Sequence, residues 1–240
     1  MGIHTTDAIV LRRYPYRETS VIVTCVTERY GKLKGLVKGL RVHPNRHRSA
    51  MEPLTINRIV FYDTRASQLD LISQCELLEP LAELQRDLEV ARIAALCANL
   101  VESVVPLEEP QPGIYQLMKD SLQRLALGVG EPSVVHVHCV VRLLRLAGFQ
   151  PQVDQCTSCS AQVHTAGYWS VRQGGLLCQQ CLHEDPRAQR ITPETLAAFE
   201  ALAQSDQPPP IDARLIPELR RRLDEFLCWR LDRPLKTLTV

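Results

Sequence analysis

The stretch SVIVTCVTERYGKLKGLVKG, residues 20–39, decides how the first third of this 240-residue chain is read. SVIVTCVT is dense in β-branched side chains, which favour extended backbone. ERYG interrupts it as a turn, and KLKGLVKG resumes as a second strand. Successive side chains of a strand point to opposite faces. Lys32, Lys34 and Lys38 therefore share one face, and Leu33, Gly35 and Val37 take the other. The pattern predicts a sheet that is apolar inside and cationic outside.

Further short strand candidates lie on either side: DAIVLRR (7–13), LTINRIVFYD (54–63) and QLDLISQCELL (68–78). Five short strands within residues 1–79 suit a small closed barrel. The OB-fold is one such barrel, and an SH3-like barrel fits nearly as well. From Pro80 the apolar period becomes helical, at Leu81, Leu84, Leu88, Ala91, Ala95 and Leu96. Further helices are expected over 114–127 and 133–147, the latter after Pro132 and stopped by Gly148. Thr192 reads as an N-cap with Pro193 at the first helical position of a helix ending near Ala203. A last helix is expected over 215–231. The predicted class is α+β: a five-stranded OB-fold barrel over 1–79 and an α-helical domain over 80–240, with a cysteine-rich insert at 153–186.

That insert contains CTSCSAQVHTAGYWSVRQGGLLCQQC, residues 156–181. The spacing C-x2-C-x18-C-x2-C lets each pair turn tightly and aim its sulfurs at one point. Four thiolates so placed make a closed tetrahedral zinc site. Gly174 and Gly175 supply a turn, and GYWSV (167–171) a strand, as in a zinc ribbon. Cys156, Cys159, Cys178 and Cys181 are thus the expected ligands of one structural zinc ion. With four protein ligands no position stays open for water or substrate, which points away from catalysis. Unmetallated cysteines and a redox dithiol are the competing readings. His164 and His183 lie nearby as spare ligands or as ordinary loop histidines.

Composition narrows the rest. Apolar residues make up 45% of the chain, enough to bury a core. No apolar run approaches the ~20 residues that span a bilayer, and the N-terminus lacks the pattern of a secretory signal. The expectation is a cytoplasmic protein. Its remaining cysteines (Cys25, Cys75, Cys97, Cys139 and Cys228) are scattered in apolar contexts, as small buried hydrophobes in a reducing compartment would be. Residues 1–50 hold ten Lys and Arg against three Asp and Glu, +7, while the whole chain is +1, leaving −6 for the remainder. Such asymmetry suggests a polyanion-binding surface on the N-terminal third. The candidate residues are Arg12, Arg13, Arg17, Lys32, Lys34, Lys38, Arg41, Arg46 and Arg48. Cations follow phosphates, and the interleaved Tyr14 and Tyr16 could stack bases or simply pack the turn.

Catalytic patterns are missing: there is no GxxxxGK[ST], GxGxxG or GxSxG. His136 and His138 sit two apart in an apolar helical run and read as core residues. Glu102, Glu108 and Glu109 read as solvated acids.

Taken together, YRETSVIVTCVTERYGKLKGLVKGLR (16–41), LLRLAGFQPQVDQCTSCS (143–160), GYWSVRQGGLLCQQC (167–181) and RPLKTL (233–238) resemble the bacterial RecO family of recombination mediators. The resemblance implies an OB-fold followed by a helical domain carrying a zinc ribbon. It implies a non-enzymatic, nucleoid-associated protein of DNA repair and homologous recombination. Such a protein binds single- and double-stranded DNA, anneals complementary strands and helps load the recombinase onto coated single strands. The implied protein partners are RecR and the acidic tail of single-stranded DNA-binding protein, with no membrane and no small-molecule substrate. Lys32, Lys34, Lys38 and Arg41 occupy the family's basic barrel segment. The alternative class is an RNA- or ribosome-associated OB/zinc-ribbon protein, since fold does not fix function.

Overall fold

Five strands close on themselves in the N-terminal region of the computed structural model, which describes residues 2–42, 49–63, 69–163 and 167–231. They are β1 (Ile3–Tyr16), β2 (Ser20–Thr27), β3 (Gly31–Val37), β4 (Ile56–Tyr62) and β5 (Asp70–Glu79). The hydrogen-bonded order is β1-β2-β3-β5-β4, with β4 returning to β1. The β3–β5 pair is parallel and the other four pairs are antiparallel. This is the order of an OB-fold, which settles the choice between barrel types. Closure leaves β1 to pair on both sides, and its register slips between Val10 and Arg12, a bulge that bends a long strand around the barrel.

The predicted alternation of β3 holds on its inner side. Leu33 and Val37 join Val10, Val23, Cys25, Ile59, Phe61 and Ile72 in the buried core. Gly35 lies between them because a Cβ there would come 2.3 Å from Ile72 Cδ1 of β5. The β3–β5 pairing spans only Gly35–Val37. The earlier half of β3 instead receives the chain that follows the first helix. Leu107 forms a parallel bridge with Lys32, and the Glu108 N–H donates to the Lys32 carbonyl at 2.8 Å. Gly31, at φ +69°, makes this approach possible, since a Cβ would lie 2.1 Å from the Glu109 carbonyl oxygen.

Helices α1 (Leu88–Val104) and α2 (Pro112–Leu127) pack against β1 and β2. The helical period seen from Leu81 begins earlier than α1 does. Residues Ala82–Gln85 form a 3₁₀ turn, and Asp87 starts the α-helix by accepting from the Val90 N–H.

The chain divides into two compact units, residues 1–132 and 133–240. The second contains α3 (Pro132–Leu146), β6 (Gly167–Ser170), β7 (Gly175–Leu177), β8 (Gln189–Ile191), α4 (Pro193–Gln204) and α5 (Ile216–Leu231). Thr192 caps α4 through the Thr195 N–H, with Pro193 following. The three strands form a small sheet ordered β7-β6-β8. Its Trp169 is buried against Phe199 of α4, stacked at 5.3 Å, and Phe226 of α5. Arg222 of α5, 2% exposed, reaches the Gln189 and Arg190 carbonyls of β8 and pairs with Glu218 at 3.0 Å. A buried guanidinium costs several kcal/mol unless so paired.

Candidate nucleic-acid interface and metal centre

Residues directly opposite each other in antiparallel strands share a face. The register therefore builds rows across the outside of β1, β2 and β3. One row is Arg12–Thr24–Lys34, and the next is Tyr14–Ile22–Leu36. Tyr16 faces Ser20 at the turn. Arginine, tyrosine and lysine are thus interleaved on one surface, with buried Thr24 between Arg12 and Lys34 and apolar Ile22 and Leu36 beside Tyr14. At the β1–β2 turn Arg17 is in the left-handed region at φ 52°, and its guanidinium lies 5.3 Å over the Tyr16 ring. Arg41 is drawn to the same turn. Its N–H donates to the Thr19 carbonyl and its guanidinium to the Arg17 carbonyl, both at 3.0 Å.

The nine candidate cations differ in their surroundings. Arg17, Lys34, Lys38 and Arg41 are exposed. Arg12 is half-buried, paired with Glu102 at 2.8 Å and donating to Tyr14 Oη and Asn99 Oδ1. Arg13 falls on the opposite parity and pairs with Glu52 at 3.1 Å. Lys32 departs from the expectation. It lies on the outer face with Lys34, yet it is 8% exposed, and its ammonium donates to the Glu102 carbonyl of α1 at 2.5 Å. Burial holds its pKa below the ordinary lysine value, against the pull of Glu102. The strand pattern gave its direction correctly, but a helix seventy residues later covers it. Arg46 and Arg48 lie outside the described residues, as do His164 and the segment 233–238.

In the second unit, Cys156, Cys159, Cys178 and Cys181 place their sulfurs within 4.8 Å of one another. Cys159 Sγ and Cys178 Sγ are 3.7 Å apart. With metal–sulfur bonds of ~2.3 Å, a tetrahedral site has sulfur–sulfur edges of about 3.8 Å. The donor set fits a metal ion. Backbone geometry aims it: Ser160, at φ 59°, donates its N–H to the Cys156 carbonyl, and Thr157 ties the first pair to β7 through the Leu176 carbonyl. Burial opposes ionisation of Cys156, but N–H groups of Cys159, Cys178 and Ser158 outweigh it and bring the thiol down to about 6. A hydrogen bond from Ser158 favours the Cys181 thiolate, whereas contact with the other cysteines pushes its thiol up to about 12. Four such groups ionise together only around a cation. His183 is exposed, with Nδ1 2.9 Å from the Gln180 carbonyl, outside the cluster.

Family models match both halves of the chain. The family described as Recombination protein O N terminal matches residues 1–81, and that described as Recombination protein O C terminal matches residues 85–239. The chain belongs to the RecO family. A relative named DNA repair protein RecO, from Desulforamulus reducens, is 28% identical over 242 residues, covering 99% of this chain and 93% of its own. Another of that name, from Desulforudis audaxviator, is 32% identical over 188 residues, covering 78% of this chain and 74% of its own. The Bacillus subtilis protein so named is 29% identical over 189 residues, covering 79% and 72%.

Two acids expected from the sequence only as solvated charges have structural roles here. Glu102 is a structural partner of Arg12 and Lys32, and Glu108 takes a left-handed backbone, φ 61°, beside the barrel. Neither has a local signal, because both depend on where the chain returns to β3. No helix among the described residues is long and apolar enough to cross a membrane.

Proposed function

We propose that this chain is a DNA repair and homologous-recombination mediator, a binding protein rather than an enzyme. It binds single- and double-stranded DNA, anneals complementary strands and helps load the recombinase onto coated single strands. The observation that carries this reading is the outer barrel face, where exposed Lys34, Lys38, Arg41 and Arg17 surround Tyr14, Tyr16 and Leu36. Cations neutralise phosphates and release counterions, and aromatic rings stack bases without reading sequence. Lowering the repulsion between two polyanions is what annealing requires. Residues 1–79 act as the nucleic-acid-binding barrel and residues 80–240 as the helical domain. The ribbon, 153–186, holds one structural zinc ion through Cys156, Cys159, Cys178 and Cys181. Arg12 and Arg13 contribute to the field of the face, and Lys32, covered by α1, fixes that helix to the barrel. Family membership supports RecR and the acidic tail of single-stranded DNA-binding protein as partners, and a cytoplasmic, nucleoid-associated location.

The test is annealing of two labelled complementary oligonucleotides, followed by energy transfer between about 50 and 200 mM salt. The wild-type protein accelerates annealing, and the effect fades with salt. Combining Lys34→Glu, Lys38→Glu and Arg41→Glu lowers the salt slope of single-strand binding by about 2 and slows annealing at least about tenfold. An unaltered triple variant, or clear preference for RNA over DNA, overturns the reading.

A further inference from the structure

The two ends of the barrel carry opposite chemistry. The β1–β2 turn gathers Arg17 and Arg41, while the β2–β3 turn, at the other end, opens onto a cavity of about 320 Å³. Its aromatic wall is His4, Tyr30 and Phe61, with ring centroids 4.9–5.4 Å apart. Tyr30 Oη is 3.2 Å from His4 Nδ1, which fixes two of the rings against each other. Phe61 is a buried floor, 3% exposed, whereas His4 and Tyr30 are half-buried. Asp63, Asp70 and Glu108 line the same cavity. Asp70 is buried and already engaged in a polar or electrostatic contact. Asp63 and Glu108 have no ion-pair partner among the described residues and sit at the more open edge.

No lysine or arginine is among the described residues lining this cavity. Carboxylates repel phosphate, so it is not an extension of the nucleic-acid face. Ring faces and carboxylates together attract cations. A guanidinium suits them better than an ammonium, because it is planar, stacks on rings and offers parallel donors to a carboxylate. The apolar floor of Leu33 and Phe61 matches the methylene stem that precedes such a group. Glu108 is held in place independently of any ligand, by its N–H on the Lys32 carbonyl and by Gly31 against Glu109. The backbone that carries Glu108 is therefore preorganised, which lowers part of the entropic cost of binding.

We propose that this cavity receives an arginine side chain presented by a protein partner, on the barrel end opposite Arg17 and Arg41. The reading does not depend on the DNA-binding proposal. It is tested on the full-length, isotope-labelled protein by titrating argininamide and lysinamide while following the ring resonances of His4, Tyr30 and Phe61. Argininamide gives saturable shifts of those rings and binds at least about fivefold more tightly than lysinamide. Asp63→Asn combined with Glu108→Gln weakens it at least about tenfold and leaves strand annealing unchanged. Shifts that rise linearly without saturating, that persist in the double variant, or that lysinamide matches at equal concentration overturn the proposal.

Discussion

The barrel and the cysteine ribbon solve the same problem by different means. In the barrel, five strands satisfy one another around a closed ring, and a continuous apolar interior from Ala8 to Cys75 holds them. In the small sheet of the ribbon region, β7 and β8 have three residues each and β6 has four. Strands so short are marginal by themselves. Their stability is borrowed from Trp169 and Arg222 on the helix side and from four converging thiols on the other. Each region is vulnerable where it is held: the barrel through its packing, the ribbon through single ligands.

Removing one ligand tests this most severely. Cys156→Ser is expected to lose the metal and melt the ribbon, a cost above about 5 kcal/mol for a structural zinc site. Hydrogen exchange should show lost protection over residues 156–181 while β1–β5 stay protected. Equal protection in variant and wild type would mean that the ribbon, like the barrel, holds itself.

A smaller effect separates two lysines on one face of one strand. Lys32→Met should destabilise the barrel unit by about 1–3 kcal/mol, because the Glu102 carbonyl loses a charged donor. Its DNA salt slope should not change. Lys34→Met should leave stability within about 0.5 kcal/mol and reduce the single-strand slope by about 0.7. Chemical denaturation and anisotropy titrations of both variants check the contrast, which collapses if Lys32→Met alone alters the slope.

The smallest expected effect is on α5, which packs the ribbon. Burial raises the Asp224 carboxyl to about 6, with Arg220 opposing and Glu225 adding to the shift. A carboxyl raised above its unfolded value binds more protons in the folded state, so stability falls as pH rises from about 4 to 6. Asp224→Asn should therefore gain about 1 kcal/mol at pH 7, a figure reduced for partial solvent contact, and gain nothing below about pH 4. Thermal melts across that range read the difference.

What was legible in the sequence follows from locality. β2 lies where its β-branched run said, Ser20–Thr27, and the cysteine spacing led directly to the clustered sulfurs. β1 was underestimated: its ends, Ile3–Thr6 and Tyr14–Tyr16, are extended because β4 and β2 pair with them, not because of their own composition. Among the candidate cations, parity correctly put Lys32 beside Lys34, but exposure belongs to the surroundings. Arg222 and Lys32 both look like surface charges until the β8 and Glu102 carbonyls arrive from elsewhere in the chain.

Gly31 has a consequence beyond its turn. The strap that follows α1 lies so close that one methyl group at this position would act as a wedge. It would pry at three things together: the Leu107 bridge, the cover over Lys32 and the placing of Glu108. A residue with no side chain is thus the keystone under which a sequestered cation and an acidic rim are seated.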